Sequence, residues 1–223
     1  MGIRGLTAAL VDLVLPADCA GCGGIPAPWC VACASGLGPG TRPVLPGGPR
    51  VLAVGRYQGP LRTAVLRYKE RGRRDLAGPL AELLRPPLHE LLVPDRFGCW
   101  LVPAPSRPAA ARARGGDHML RICHRLAADR PELRVAGVLA LTRRARDSVG
   151  LDPAQRAANL AGRLRVRVAR LPPPDAPVVL VDDVVTTGAT LRACRNALAG
   201  AGIGADRALV LCDATARAGR PNG

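Results

Sequence analysis

Residues 178–191 read VVLVDDVVTTGATL. Val178–Val181 form a continuous aliphatic run, the pattern of a parallel strand buried on both faces. The run leads straight into Asp182 and Asp183. Thr186, Thr187, Gly188, Ala189 and Thr190 come next, and a helix is expected over 187–202. Leu191, Cys194 and Leu198 would share one face of that helix, and Gly200 and Gly202 would stop it. Strand, hydroxyl-rich turn and helix, in that order, make one half-unit of an α/β sheet.

Outward from this unit the same alternation repeats. VLAVGRY (51–57), CWLVPAP (99–105), VLAL (138–141) and RALVLCDA (207–214) read as strands. PLRTAVLRYKER (60–71), residues 75–85, DHMLRICHRLAAD (117–129) and PAQRAANLAGRL (153–164) read as helices. The first of these starts on proline, and the second should break at Pro86-Pro87. The pattern predicts an α/β fold with a mostly parallel sheet covered by helices on both faces.

Ile3, Leu6, Leu10, Leu13 and Val14 recur at helical spacing, and Asp12 interrupts the apolar run. A short amphipathic helix is expected there rather than a signal segment. No stretch is long enough to cross a bilayer, and a cytoplasmic location is expected. The expected organisation is a helix and four-cysteine module over 1–34, a Gly/Pro linker over 35–50, the main domain over 51–214 and a disordered tail over 215–223.

Four of the eight cysteines, Cys19, Cys22, Cys30 and Cys33, form a C-x2-C-x7-C-x2-C cluster. Two such turns can set four thiolates into a tetrahedral cage. The alternative is two disulfides, which a cytosolic setting disfavours. Zinc is the expected metal, in a structural role because four thiolates leave no open position; iron fits the same ligands. Cys99, Cys123, Cys194 and Cys212 fall in apolar patterns and should behave as small buried hydrophobes.

The 223-residue chain carries a net charge of +15, and Lys69 is its only lysine. Such a charge favours anionic partners, although arginine spread along a chain rich in Ala, Gly and Pro also reflects compositional bias. Tyr57, Tyr68, Trp29, Trp100 and Phe97 are the only aromatic residues, which argues against a broad base-stacking surface.

In open α/β sheets ligands sit beyond the carboxyl ends of the strands, where Asp182 and Asp183 are expected. The turn and first helical turn after them offer backbone N–H groups and a helix dipole suited to an anion. Thr186, Thr187 and Thr190 add hydroxyl donors, and Gly188 allows close approach. The carboxylates suit vicinal ribose hydroxyls or a bound Mg²⁺. One loop therefore offers donors for a phosphate and acceptors for a sugar, which a 5-phosphoribosyl group would match.

VVLVDDVVTTGATL closely resembles the PRPP-binding motif of type I phosphoribosyltransferases. That resemblance implies a type I phosphoribosyltransferase fold, with Asp182 and Asp183 on the ribose hydroxyls and Thr186, Thr187, Gly188, Ala189 and Thr190 around the 5-phosphate. Purine-salvage members carry a base-contacting aspartate where this chain has Thr186, so the motif does not imply a purine acceptor.

Over residues 10–213 the chain resembles the ComF family, which joins a four-cysteine zinc finger to a phosphoribosyltransferase domain. YQGPLRTAVLRYKERGRRDLA (57–77), LVPAPSRPAAARARGGDH (101–118) and RRARDSVGLDPAQRAANLAG (143–162) carry the rest of the likeness, with Arg156 and Asn159 matching. The chain departs from that family at Gly116, Asp117 and His118, where an aromatic, Asn and Gln are usual, and at Ser148, where Gln is common.

Pyrophosphate and its Mg²⁺ must sit opposite the 5-phosphate. Ala104, Pro105, Ser106 and Arg107 are candidates for that loop, with Arg112 and Arg114 as nearby cations. His118 and His124 do not share a helix face and are not expected to be paired ligands, and His89 reads as a helix-surface residue.

Three functions compete. The first is Mg²⁺-dependent transfer of phosphoribosyl from PRPP to a nucleophile. The second is single-stranded DNA handling in competence and DNA uptake, which the ComF resemblance implies. The third is PRPP sensing without turnover. A homodimer is compatible with each.

Overall fold

A computed structural model describes residues 18–25, 27–92, 98–142 and 163–215. The N-terminal helix, Arg156, Asn159, most of the helix expected over 153–164, and the tail beyond residue 215 lie outside these.

Five strands form one parallel sheet: β1 (Arg50–Arg56), β2 (Cys99–Pro103), β3 (Leu133–Val135), β6 (Val178–Val185) and β7 (Arg207–Asp213). Their spatial order is β1-β7-β6-β2-β3, and β4 (Leu139–Leu141) pairs antiparallel with β5 (Leu164–Val166) to one side. From β2 the chain moves outward to β3; from β6 it moves the opposite way to β7. Connections that diverge from two adjacent strands open a crevice at their carboxyl ends. The order thus fixes where a site can form before any side chain is considered.

Side-chain alternation divides the interior into two layers. Leu52, Leu101, Val179, Val181, Leu209 and Leu211 face α2 (Gly59–Glu70), α3 (Ala77–Leu92) and α5 (His118–Ala127). Val51, Val102, Val178, Leu180, Ala208 and Val210 face α6 (Ala189–Ala199) and the β4–β5 pair. The alternation carries through the acidic pair, so Asp182 belongs to the α6 face and Asp183 to the α2/α5 face, and it reverses beyond them, with Val184 in the second of these layers and Val185 in the first.

Three sequence expectations change. β6 does not stop before the acidic pair but runs through it to Val185, because Asp182 and Val184 still pair with Val210 and Cys212 of β7. Nor does α3 break at Pro86-Pro87. Leu80, Leu84, Leu88 and Leu91 continue one buried stripe across the prolines, and that packing outweighs a local cost of roughly 3 kcal/mol. Leu164, expected to end a helix, instead opens β5.

The Gly/Pro segment after α1 (Val31–Ser35) lies against the sheet. Thr41 pairs with Ala53 beside β1, and Leu45 is buried over the start of α6. Cys99, Cys123, Cys194 and Cys212 are buried and not joined in disulfides, as expected of small hydrophobes. Among the described residues no helix is long and apolar enough to cross a membrane.

Candidate functional site

The crevice between the carboxyl ends of β2 and β6 is a cavity of about 740 Å³. It gathers Asp182, Asp183 and Thr186–Thr190 from one wall, and Ala104, Pro105, Ser106 and Arg107 from the other. Every residue assigned to the phosphate loop and to the pyrophosphate loop therefore borders one space. Arg114 and Arg163 also line it, whereas Arg112 does not. Lys69, Arg107, Arg114 and Arg163 outnumber Glu70, Asp182 and Asp183 in the lining by one.

Gly188 caps α6 with φ of 73°, in the left-handed region. A Cβ there would also sit 2.6 Å from Leu45 Cδ2, so both backbone and packing demand glycine. Thr187 Oγ1 accepts from the Ala189 N–H at 3.4 Å, closing the turn that delivers the helix N-terminus to the cavity. The first N–H groups of such a helix have no partner within it and favour an anion.

The two carboxylates have opposite electrostatics. Asp183 is buried, and its Oδ2 lies 2.8 Å from Lys69 Nζ and 2.8 Å from His118 Nε2. Burial pushes its pKa up, but the His118 hydrogen bond and the Lys69 charge more than offset this, and the net shift is downward. Asp182 is half-buried, with the Asp183 N–H donating to its Oδ1 at 2.9 Å. Burial and the neighbouring Asp183 charge raise its pKa. Burial also lowers the Lys69 pKa, yet the Asp183 carboxylate brings the net shift upward.

Lys69 and His118 were not assigned to the site from the sequence. Each carried a signal: Lys69 is a lone lysine in an arginine-rich chain, and His118 stands where the family that the sequence resembles usually has glutamine. His118 is held tightly. Its Nδ1 lies 3.0 Å from Ser106 Oγ and 3.4 Å from Arg114 Nη1, and its carbonyl accepts from the Tyr68 hydroxyl at 2.7 Å. Asp117 caps α5 through the N–H groups of Met119 and Leu120, and its other oxygen accepts from the Ser106 N–H at 2.9 Å. His124 is exposed and does not approach this cluster.

The four-cysteine cluster is assembled as the spacing suggested. The Sγ atoms of Cys19, Cys22, Cys30 and Cys33 all lie within 4.8 Å of one another. Cys19–Cys33 and Cys22–Cys30 are each 3.7 Å apart. Tetrahedral zinc with bonds of about 2.3 Å sets its sulfurs about 3.8 Å apart, whereas a disulfide needs about 2.05 Å. The donor set fits zinc, and at this separation the sulfurs are not bonded to one another. Burial pushes the Cys19 thiol up, but N–H groups of Cys22, Cys30 and Gly21 bring it down to about 6, favouring the thiolate that binds metal.

This module is docked on the main body. Asp18 accepts from Arg67 at 2.7 Å and from Arg73 at 2.6 Å, and Ala20 is fully buried in the α2/α3 layer. A Cβ on Gly21 would meet both Cys33 Sγ and Pro60 Cβ at 2.8 Å, so its bare backbone permits the contact with the start of α2. Lys69 reaches Asp183 from the far end of that helix.

A scan of protein-family models finds no match, and no curated protein matches the sequence. Among solved structures, one match is a glutamic acid mutant from a study of an invariant aspartic acid in HPRTs. It is 15% identical over 70% of this chain and 74% of that one, with a TM-score of 0.36. Another is the hypoxanthine phosphoribosyl transferase of Trypanosoma cruzi, at 14% identity, 70% and 71% coverage, and a TM-score of 0.36.

Proposed function

We propose that this chain is a ComF-type phosphoribosyltransferase that binds PRPP, with its Mg²⁺, in the β2–β6 crevice and transfers the phosphoribosyl group to a nucleophile. The observation that carries this reading is the meeting of two loops at the point where the sheet's connections diverge. One, with the end of β6 before it, brings a helix N-terminus, hydroxyls and two carboxylates, and the other brings arginine. A sugar with phosphates at both ends needs that division.

Asp182 and Asp183 accept from the ribose hydroxyls, and Thr186–Thr190 donate to the 5-phosphate. The 104–107 loop, with Arg107 and Arg114, faces the pyrophosphate. Positive charge developing at the anomeric carbon is met by the carboxylates as the cations take up the leaving charge. Magnesium enters as part of the substrate, bound to pyrophosphate oxygens. Zinc in the four-cysteine module is structural and secures α2 through Asp18.

Calorimetric titration with PRPP, with and without Mg²⁺, tests the reading. Mg²⁺-dependent binding is expected for the intact chain and should be lost in the Asp182→Ala/Asp183→Ala variant. Absence of binding by the intact chain would overturn it and leave single-stranded DNA handling as the reading to pursue.

A further inference from the structure

We propose that Lys69 is a positioning residue that sets the sugar specificity of the crevice. With His118 it takes up one oxygen of Asp183, so that each acid of the pair offers a single oxygen and the site selects a sugar with both ring hydroxyls. This rests on the phosphoribosyl reading and deepens it: the group demanded is an intact vicinal diol, and a residue outside the Asp-Thr loop enforces the demand.

A carboxylate with two open oxygens accepts in many geometries and discriminates little between donors. Here that latitude is removed from both acids. Lys69 Nζ and His118 Nε2 each lie 2.8 Å from the same atom, Asp183 Oδ2. The Asp183 N–H donates to Asp182 Oδ1 at 2.9 Å. Among the described residues nothing donates to Asp182 Oδ2 or Asp183 Oδ1, and both side chains border the crevice. Two single acceptors match two neighbouring hydroxyls. A sugar lacking one of them takes a carboxylate oxygen out of water without giving it a donor.

Lys69 and His118 are built as one unit. Tyr68, beside Lys69 at the end of α2, donates its hydroxyl to the His118 carbonyl at 2.7 Å. Arg114 Nη1 donates to the Lys69 carbonyl at 3.1 Å and stands 3.4 Å from His118 Nδ1. Asp183 Oδ2 is therefore met from α2 and from α5 by donors whose backbones are tied together. The ammonium of Lys69 has only donors to offer, and it brings a full positive charge to a buried carboxylate. Asp183 is thus ionised and turned to one orientation before a ligand arrives, which removes the ordering of that side chain from the cost of binding. Lys69 does this through Asp183 and needs no contact with the sugar. Without it Asp183 keeps only the bond to His118 and gains freedom to turn, whereas Asp182 keeps its anchor in the Asp183 N–H.

Ribose 5-phosphate, 2-deoxyribose 5-phosphate and 3-deoxyribose 5-phosphate probe the site without pyrophosphate or metal. Their dissociation constants are measured by calorimetry for the intact chain, Lys69→Met and Asp183→Ala, with Lys69→Gln in reserve should the methionine variant not fold. The intact chain should bind each deoxy sugar about tenfold or more weakly than ribose 5-phosphate. Asp183→Ala should abolish one of these two preferences, which identifies the hydroxyl that Asp183 reads. Lys69→Met should reduce that same preference about threefold or more and leave the other nearly as it was. If Asp183→Ala does not fold, Lys69→Met decides alone, because one preference must fall while the other stands. Unchanged preferences, equal loss of both, loss of the one that Asp183→Ala retains, or an intact chain that binds all three sugars alike would each overturn the role of Lys69. Failure of the intact chain to bind any of the three is a different result, which overturns the phosphoribosyl reading and the role of Lys69 with it.

Discussion

Replacing Asp182 by asparagine should make the protein more stable while impairing its ligand site. Asp182 is half-buried one residue from the Asp183 carboxylate, and its pKa is raised by burial and by that charge. Asparagine keeps the oxygen that accepts the Asp183 N–H at 2.9 Å, so the strand end retains its hydrogen bond. A raised carboxylate pKa means that the folded state holds the proton more tightly than the unfolded chain. The cost of ionisation is therefore absent below the ordinary carboxylate value of about 4 and grows as pH rises toward the folded value. Each unit is worth about 1.4 kcal/mol, and solvent screening of a half-buried group reduces the total at neutral pH to the order of 1–2 kcal/mol. For a chain of this size that is a rise in Tm of roughly 2–8 °C. Calorimetric unfolding of both proteins at pH 5 and pH 7 tests it, and the gap should be wider at pH 7. A variant no more stable than the parent, or a gap that does not change with pH, would show that Asp182 ionises without cost and refute the reasoning.

Three further outcomes are expected. In a cycle of Lys69→Met, Asp183→Asn and the double variant, the two losses in unfolding free energy should overlap by about 1 kcal/mol, because either change alone strands the other's partner; additive losses would mean the ion pair is not coupled. Gly188→Ala should cost at least roughly 1–2 kcal/mol for the left-handed backbone, and adding Leu45→Ala should recover only the steric part, read from denaturant midpoints. Cys33→Ser should lose one metal ion in native mass spectrometry and lower Tm, while a chelated chain with an unchanged Tm would contradict a structural role.

The alternation of strands and helices was legible because apolar runs of four or more residues mark parallel strands. β3 and β5 are only three residues long and give no such run. The 178–191 stretch was legible as strand, turn and helix in that order, since turn chemistry is local. It could not show that β6 continues through the acids, which depends on pairing with β7, or that neighbours in sequence would face opposite layers. His118 and Asp183 are 65 residues apart and meet only because the starts of α5 and the loop after β2 converge over β6. The docking of Leu45 on Gly188 was hidden by a composition that reads as linker. Such tertiary closures leave no periodicity to read.

A chain with a single lysine has a chemical address built into it. Apart from the amino terminus, acylating reagents, amine cross-linkers and amine-coupled supports have one place to react, and that place is inside the β2–β6 crevice. While Lys69 is paired with Asp183 it stays charged and unreactive, since the carboxylate raises its pKa. Labelling yield thus becomes a direct readout of how often that pair opens. Tethering through Lys69 would block the crevice, so immobilised or fluorescent forms should be made through another group.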